Sequence, residues 1–354
     1  MISKEEIAIW GTPPPPIGGM SVHIERLTQY LEREGISYCM YDLKSLGHAH
    51  PNIVNIKSIW RWYLSLIFLR SPKIHYVISS TYYVRFLAVI LKVVRRKKVI
   101  IRVGGESLAH SLQHGGLQKH MSLWATKNCT AFIGVNAEIY KLARDIRNNN
   151  KITAHIPGFI LPIDNKEIIN EDIKNFLNSK SCNMAYSGMI QPKSDRDIYG
   201  AWLLLEALSQ LKKSTDDFRI VIYTYVQYLD DGYKEFLEEI IKLKLEDNIL
   251  VKESTGPLHP VFNHIDLFLR PSLTDGDSNA LREALAFKVP SIASDAVPRP
   301  NGCTLFDNGN ISDLSEKLLY AIRNIVTLKA SAQHNTIENN APILLSLIET
   351  VRKC

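Results

Sequence analysis

The sequence has no CxxC pair, no Cys/His ligand spacing and no apolar run approaching the roughly 20 residues of a membrane span. Its five cysteines, Cys39, Cys129, Cys182, Cys303 and Cys354, are odd in number and widely scattered. They indicate neither a disulfide framework nor a zinc site, and they fit a reducing compartment. The opening MISKEEIAIWG lacks the apolar region of a secretory signal, so a cytoplasmic protein is expected. GxGxxG is missing, which counts against a dinucleotide oxidoreductase, and there is no recognisable nucleic-acid-binding motif. No cofactor follows from the composition, which at 45% hydrophobic and 22% charged residues is that of an ordinary globular chain.

What is present begins with size. A chain of 354 residues exceeds what one core usually serves, so two domains are expected. Charge divides unevenly between them. Residues 1 to 151 hold 21 Lys/Arg against 9 Asp/Glu and the remainder 21 against 27, so the formal +6 separates into +12 and −6. A one-sided excess is the footprint of an anionic partner, whether a membrane surface, a nucleic acid or a phosphorylated substrate. Nucleic acid fits least, because the basic residues interleave with apolar runs such as YLSLIFLR and VRFLAVILKVVRRKK.

The most informative stretch is Arg270 to Asp295, RPSLTDGDSNALREALAFKVPSIASD. Ile265 to Ser272 is an apolar, strand-like run. Asp275-Gly276-Asp277-Ser278-Asn279 supplies turn and N-cap residue types, and Ala280 to Phe287 is a good helix former. The first amides of such a helix lack intrahelical partners and can receive phosphate or sugar oxygens. Asp275 lies in the turn and Glu283 about two helical turns further on. Carboxylates accept pairs of vicinal hydroxyls, which suits a sugar or a ribose. The alternative is an ordinary βα turn with a solvated Glu on its helix.

This stretch resembles the donor-site signature of retaining, family 4 (group 1) type glycosyltransferases of the GT-B fold, in which two acidic residues are separated by seven others and the helix leads to a Val-Pro strand. The resemblance implies that Glu283 holds the ribose hydroxyls of a nucleotide-sugar, while Asp275 and the amides of Asp277, Ser278 and Asn279 hold the transferred sugar. Asp275 stands where relatives have Glu, one methylene shorter.

At the N-terminus, Ile7 to Gly11 reads as a buried strand, GTPPPPIGG as an irregular loop and Met20 to Gly35 as a helix. Gly18 and Gly19 let the backbone approach a ligand, and IGGMSVHIERLTQYLEREGI is similar to the opening of the same glycosyltransferases, whose Gly-Gly loop lies near the donor diphosphate and acceptor. Ile59 to Leu69, with Trp60, Trp62 and Tyr63 beside Arg61 and Arg70, reads either as an interfacial membrane helix or as a buried helix. Arg95 to Lys98 is a basic cluster, either a solvated face or an anionic-lipid patch. Gly104, Gly105 and Glu106 follow a strand at the ligand-facing edge of an α/β sheet, and Glu106 contacts acceptor hydroxyls or is a surface acid.

In the second half, Gly188 and QPKSDRDIYG follow a strand. Relatives place an Arg and a Lys on the diphosphate here, but Met189 takes the first place and Lys193 sits one residue short of the second, with Arg196 nearby. One of these cations is expected to neutralise the leaving diphosphate. Gly256 is a candidate for base contacts. The expectation is two Rossmann-like domains facing across a cleft: residues 1–160 on the acceptor side, 161–340 binding the donor, and a helix in 341–354 returning to the first. The activity expected is metal-independent, retaining transfer of a sugar from a nucleotide diphosphate sugar to a glycan or lipid-linked acceptor, in surface polysaccharide biosynthesis, with the chain peripheral to the cytoplasmic membrane. Two alternatives are a catalytically silent GT-B-like binding subunit and a nucleotide-sugar epimerase of the same fold.

Overall fold

The computed structural model describes residues 7–15, 18–48, 50–68, 71–104, 107–148, 151–163, 169–178, 182–224, 231–254, 256–275 and 278–354. The chain folds as two compact units, Met1–Ile163 with Asn339–Cys354, and Asp164–Glu338.

The first unit runs β1 (Ile7–Gly11), α1 (Gly19–Arg33), β2 (Tyr38–Asp42), β3 (Ile53–Asn55), α2 (Ile59–Phe68), β4 (Ile74–Ile78), α3 (Tyr82–Arg95), β5 (Lys98–Val103), α4 (Ser107–Gln113), α5 (Gly116–Asn128), β6 (Ala131–Gly134), α6 (Ala137–Arg147) and β7 (Thr153–His155). The second runs α7 (Glu171–Leu177), β8 (Cys182–Ser187), α8 (Ala201–Lys212), β9 (Phe218–Thr224), α9 (Asp231–Lys242), β10 (Ile249–Glu253), a 3-10 turn (His259–His264), β11 (Leu267–Arg270), α10 (Asn279–Ala286), β12 (Ser291–Ser294), β13 (Cys303–Phe306), α11 (Ile311–Arg323) and α12 (Ile325–Ala332). The last helix, α13 (Ala341–Lys353), belongs to the first unit.

Each unit is built on a parallel sheet, seven-stranded in the order β3-β2-β1-β4-β5-β6-β7 and six-stranded in the order β10-β9-β8-β11-β12-β13. Strands such as IAIWG, KVIIRV and LFLR are near-continuous apolar runs because a parallel sheet is covered on both faces. In the first unit one face packs Trp10, Trp62, Leu87 and Phe132, and the other packs Ile9, Ile24, Ile100 and, from α13, Leu344 and Ile348. Asn340 fixes the start of α13 by donating from its side-chain amide to the Phe159 carbonyl at 2.9 Å. The strand order reverses direction between β1 and β4 in the first sheet and between β8 and β11 in the second. In doubly wound folds that switch point, at the carboxyl ends of the strands, is where ligands bind.

The aromatic segment resolves into a two-faced helix. Trp62 and Tyr63 of α2 are core residues, 9% and 5% exposed, with Trp62 edge-on to Trp10 at 4.7 Å, so Trp62 is not available for membrane contact. Trp60 and Phe68, 67% and 76% exposed, point outward with Leu64. The basic cluster is similarly divided: Arg95 and Arg96 are exposed, whereas Lys97 donates to the Ser71 carbonyl at 2.7 Å. No helix among the described residues is long and apolar enough to cross a membrane.

Candidate functional site

The site in the second unit starts at the ends of β8 and β11. Arg270, the last residue of β11, donates from Nη1 to the carbonyl of Ser187, the last residue of β8, at 3.0 Å. From Nε it donates to Asp275 Oδ2 at 2.9 Å, so one guanidinium ties both strand ends to the turn that follows β11. Arg299, in the loop after β12, donates from Nη1 to the same Oδ2 at 2.9 Å. Its Nη2 donates to Ser272 Oγ and Ser294 Oγ, both at 3.0 Å, and its Nε to the Ser294 carbonyl at 2.8 Å. Ser272 Oγ completes the cluster by donating to Asp275 Oδ2 at 3.2 Å. Burial alone would raise the Asp275 carboxyl, but the charges and hydrogen bonds of Arg270 and Arg299 bring it down to about 2.

Beyond the turn, Ser278 caps α10 by accepting from the Leu281 amide at 3.2 Å, as its residue type predicts, and Asn279 is the first helical residue. Glu283 lies on the buried face of α10 and is 3% exposed. Its Oε1 is 3.8 Å from Nδ1 of His259, at the start of the 3-10 turn. Gly276 and Asp277 lie outside the described residues. Gly256 is half-buried and faces open space where a side chain would begin.

The expected cations stand differently. Lys193, exposed in the loop between β8 and α8, holds its ammonium 5.3 Å from the ring centroid of Trp202. Arg196 is exposed in the same loop. The first amides of α8, those of Ala201, Trp202 and Leu203, donate to the carboxylate of Asp197 at 2.9 to 3.1 Å, so this helix N-terminus already holds an anion from its own loop. Gly188 gives its amide to the Tyr223 carbonyl at 3.0 Å, and a side chain on it would run into the Tyr186 hydroxyl, so packing requires the glycine here.

In the first unit, Gly18 is the N-cap between β1 and α1, at the switch point of that sheet. The Gly18 amide donates to Ser21 Oγ at 2.9 Å, and Gly19 is the exposed first residue of α1. Gly104 follows β5 and is half-buried, and Gly105 and Glu106 lie outside the described residues. Sequence reasoning did not identify Arg270, Arg299, Asp197 or His259. Arg299 is 24 positions from Asp275 and no local pattern links them. Of these four only Asp197 has a local signal that could have found it, an Asp four residues before the helix start at Ala201. Among the described residues, no group of three or more His, Cys, Asp or Glu side chains stands close enough to hold a metal ion.

Comparison with known proteins gives a family match within the second unit and a likeness of fold for the whole chain. Residues 187–324 match the model of Glycosyl transferases group 1. A stretch of 133 residues is 28% identical to Protein CapJ of Staphylococcus aureus, covering 33% of this chain and 31% of that one, so the match spans less than a third of the curated relative. Alr3699/HepE of Anabaena, solved in complex with UDP, superposes with a TM-score of 0.69 at 13% identity, over 99% of this chain and all of that one (100%). A glycosyltransferase of Rickettsia africae superposes with a TM-score of 0.71 at 15% identity, over 99% and 100%. At such identities the likeness is one of fold. The chain therefore has the two-domain GT-B fold, and its residues 187–324, carrying the β11–α10 acid pair and its arginine clamp, match the model of Glycosyl transferases group 1.

Proposed function

We propose that the protein is a retaining glycosyltransferase that moves a sugar from a nucleotide diphosphate sugar to a glycan or lipid-linked acceptor in surface polysaccharide biosynthesis. The observation that carries this reading is the placement of Asp275 and Glu283 on one β-turn-α unit, directly beyond the β8/β11 switch point of a group 1 domain. HepE, of similar fold, was solved with UDP, and another of its structures with UDP-glucose, which supports a nucleotide-sugar donor.

In this reading Glu283 accepts the ribose hydroxyls, and the turn around Asp275 and Ser278 presents backbone amides to the transferred sugar. Asp275 acts with its clamp: Oδ2 is committed to Arg270, Arg299 and Ser272, which fixes the turn before any donor arrives. The departing diphosphate is neutralised by a cation of the β8–α8 loop, in a metal-independent reaction. The acceptor hydroxyl attacks on the face from which the nucleotide leaves, and the donor phosphate takes its proton. Gly18, Gly19 and Gly104, each beyond a strand end of the first sheet, are the residues of the first unit assigned to ligand binding in this reading. A second reading, a silent binding subunit, is favoured by Met189 in place of the usual arginine and by the packing of Lys193 on Trp202.

Incubation with a panel of nucleotide-sugars and a membrane extract tests the proposal. Release of nucleoside diphosphate coupled to label transfer is expected. Donor binding without turnover would instead establish the silent subunit, and interconversion of donors an epimerase.

A further inference from the structure

His259 is buried, with 7% of its side chain exposed, yet neither ring nitrogen has a hydrogen-bond partner among the described residues. A neutral imidazole carries one N–H donor and one acceptor, and burying both unmet disfavours the unliganded state. The ring is held by stacking on Phe287, with centroids 5.9 Å apart and planes inclined at 25°. That contact leaves Nδ1 facing Glu283, whose Oε1 is 3.8 Å away, just beyond hydrogen-bonding distance. Glu283 projects from α10 and His259 from the 3-10 turn, two elements that pack together, so a small side-chain rotation closes the gap.

We propose that His259 is a positioning residue for nucleotide binding. Its Nδ1–H closes on Glu283 Oε1 when the carboxylate receives the ribose hydroxyls, and it locks the carboxylate in the orientation that meets them. The inference rests on the assignment of Glu283 to the ribose. The coupling has a physical source: a nucleotide filling the site excludes water, and an N–H to carboxylate bond strengthens as the local dielectric falls. The stack on Phe287 supplies the preorganisation, because the ring plane is set before the ligand arrives.

Calorimetry on the full chain tests this, with UDP, GDP and their 2′,3′-dideoxy counterparts as ligands. His259→Phe keeps the ring and its stack but removes both nitrogens, and His259→Asn keeps an N–H donor near the Nδ1 position. His259→Phe is expected to weaken binding of the ribonucleotide roughly tenfold, the scale of one hydrogen bond to a charged acceptor, with His259→Asn restoring most of it. Both variants should bind the dideoxy nucleotide as the native chain does. The Tm of His259→Phe should be unchanged or raised, since two unmet polar atoms are removed. Equal weakening of ribo- and dideoxynucleotide, or a lowered Tm with unchanged nucleotide affinity, would overturn the inference in favour of a purely structural histidine. Glu283→Gln separates the two levels: if it leaves affinity unchanged, the ribose assignment fails and the inference with it. If it weakens binding while His259→Phe does not, only the positioning role is lost.

Discussion

Asp275 keeps its charge because two guanidiniums share one of its oxygens, and the consequence is a pH dependence of definite sign. Its folded-state value of about 2 lies below the ordinary aspartate range. A carboxyl depressed on folding contributes stability that is fully present above its unfolded value, near 4, and is lost as pH falls through about 2. The side chain is 9% exposed, so solvent screening discounts little, and the shift corresponds to roughly 2 to 3 kcal/mol. Asp275→Asn should therefore lower stability at neutral pH by about 3 kcal/mol, since it also leaves Arg270 and Arg299 buried without their counter-charge. Thermal melts of native and variant protein from pH 7 to pH 2 check both sign and window: the gap should narrow below pH 4, and a gap constant to pH 2 would mean that the clamp is not what holds the turn. The acid pair was legible in the sequence because its spacing is local. Its arginine clamp was not, because Arg270 reads as the end of an apolar strand and Arg299 lies beyond the next strand.

Single elements show the same division. β1, α1, β4, β5, β8, α8, β11 and α10 could be read from apolar runs ended by Gly, Pro, Asn or Asp. Short β3 and β13 could not, nor could α4, α5 and α12, because their residues are half-exposed or alternate without a clean stripe, whereas α11 does carry one, Leu314, Leu318 and Ala321 after the Asn310 cap. At α8 the loop read as cationic proves to be anchored by an acid. Asp197→Ala removes the acceptor for three amides and should cost about 1 to 2 kcal/mol in a denaturant titration, with nucleotide affinity within twofold of native. The two loop cations should also separate. Lys193 is engaged with the Trp202 ring, whereas Arg196 is exposed. Arg196→Ala is expected to lower kcat by about 100-fold, the scale of losing one fixed charge from a leaving group, and Lys193→Ala by less than about threefold. Steady-state rates for the two variants decide, and the reverse ranking would assign the diphosphate to Lys193.

At the scale of the molecule, the fold class was accessible from alternating strand and helix patterns, while which residues of the proposed membrane-docking face are exposed needed the structure. Residues 1–151 carry +12, and two helices on one face of the first sheet, α2 and α3, show where part of that charge meets apolar surface. On α2, Trp60, Leu64 and Phe68 recur at a spacing of four and stand exposed, with Arg61 exposed beside them and Lys57 exposed just before the helix; α3 ends in exposed Val93, Val94 and Arg95, capped by exposed Arg96. Exposed aromatic and aliphatic groups interleaved with cations suit an anionic bilayer surface, where each basic residue contributes about 1 kcal/mol and the apolar groups add a part that salt cannot screen. Because Lys97 is tied to Ser71, the cluster at the end of α3 brings about 2 kcal/mol through Arg95 and Arg96, which is less than reversible docking requires without help from α2. Liposome flotation should thus show binding to anionic but not neutral vesicles, weakened by salt and by Arg95→Ser with Arg96→Ser. Trp60→Ser with Phe68→Ser should remove the salt-resistant remainder. Tryptophan emission should shift to the blue on adding vesicles and lose that shift with Trp60→Ser but not with Trp62→Phe, since Trp62 is already buried against Trp10. Flotation indifferent to lipid charge, salt and both double substitutions would rule out docking through this face.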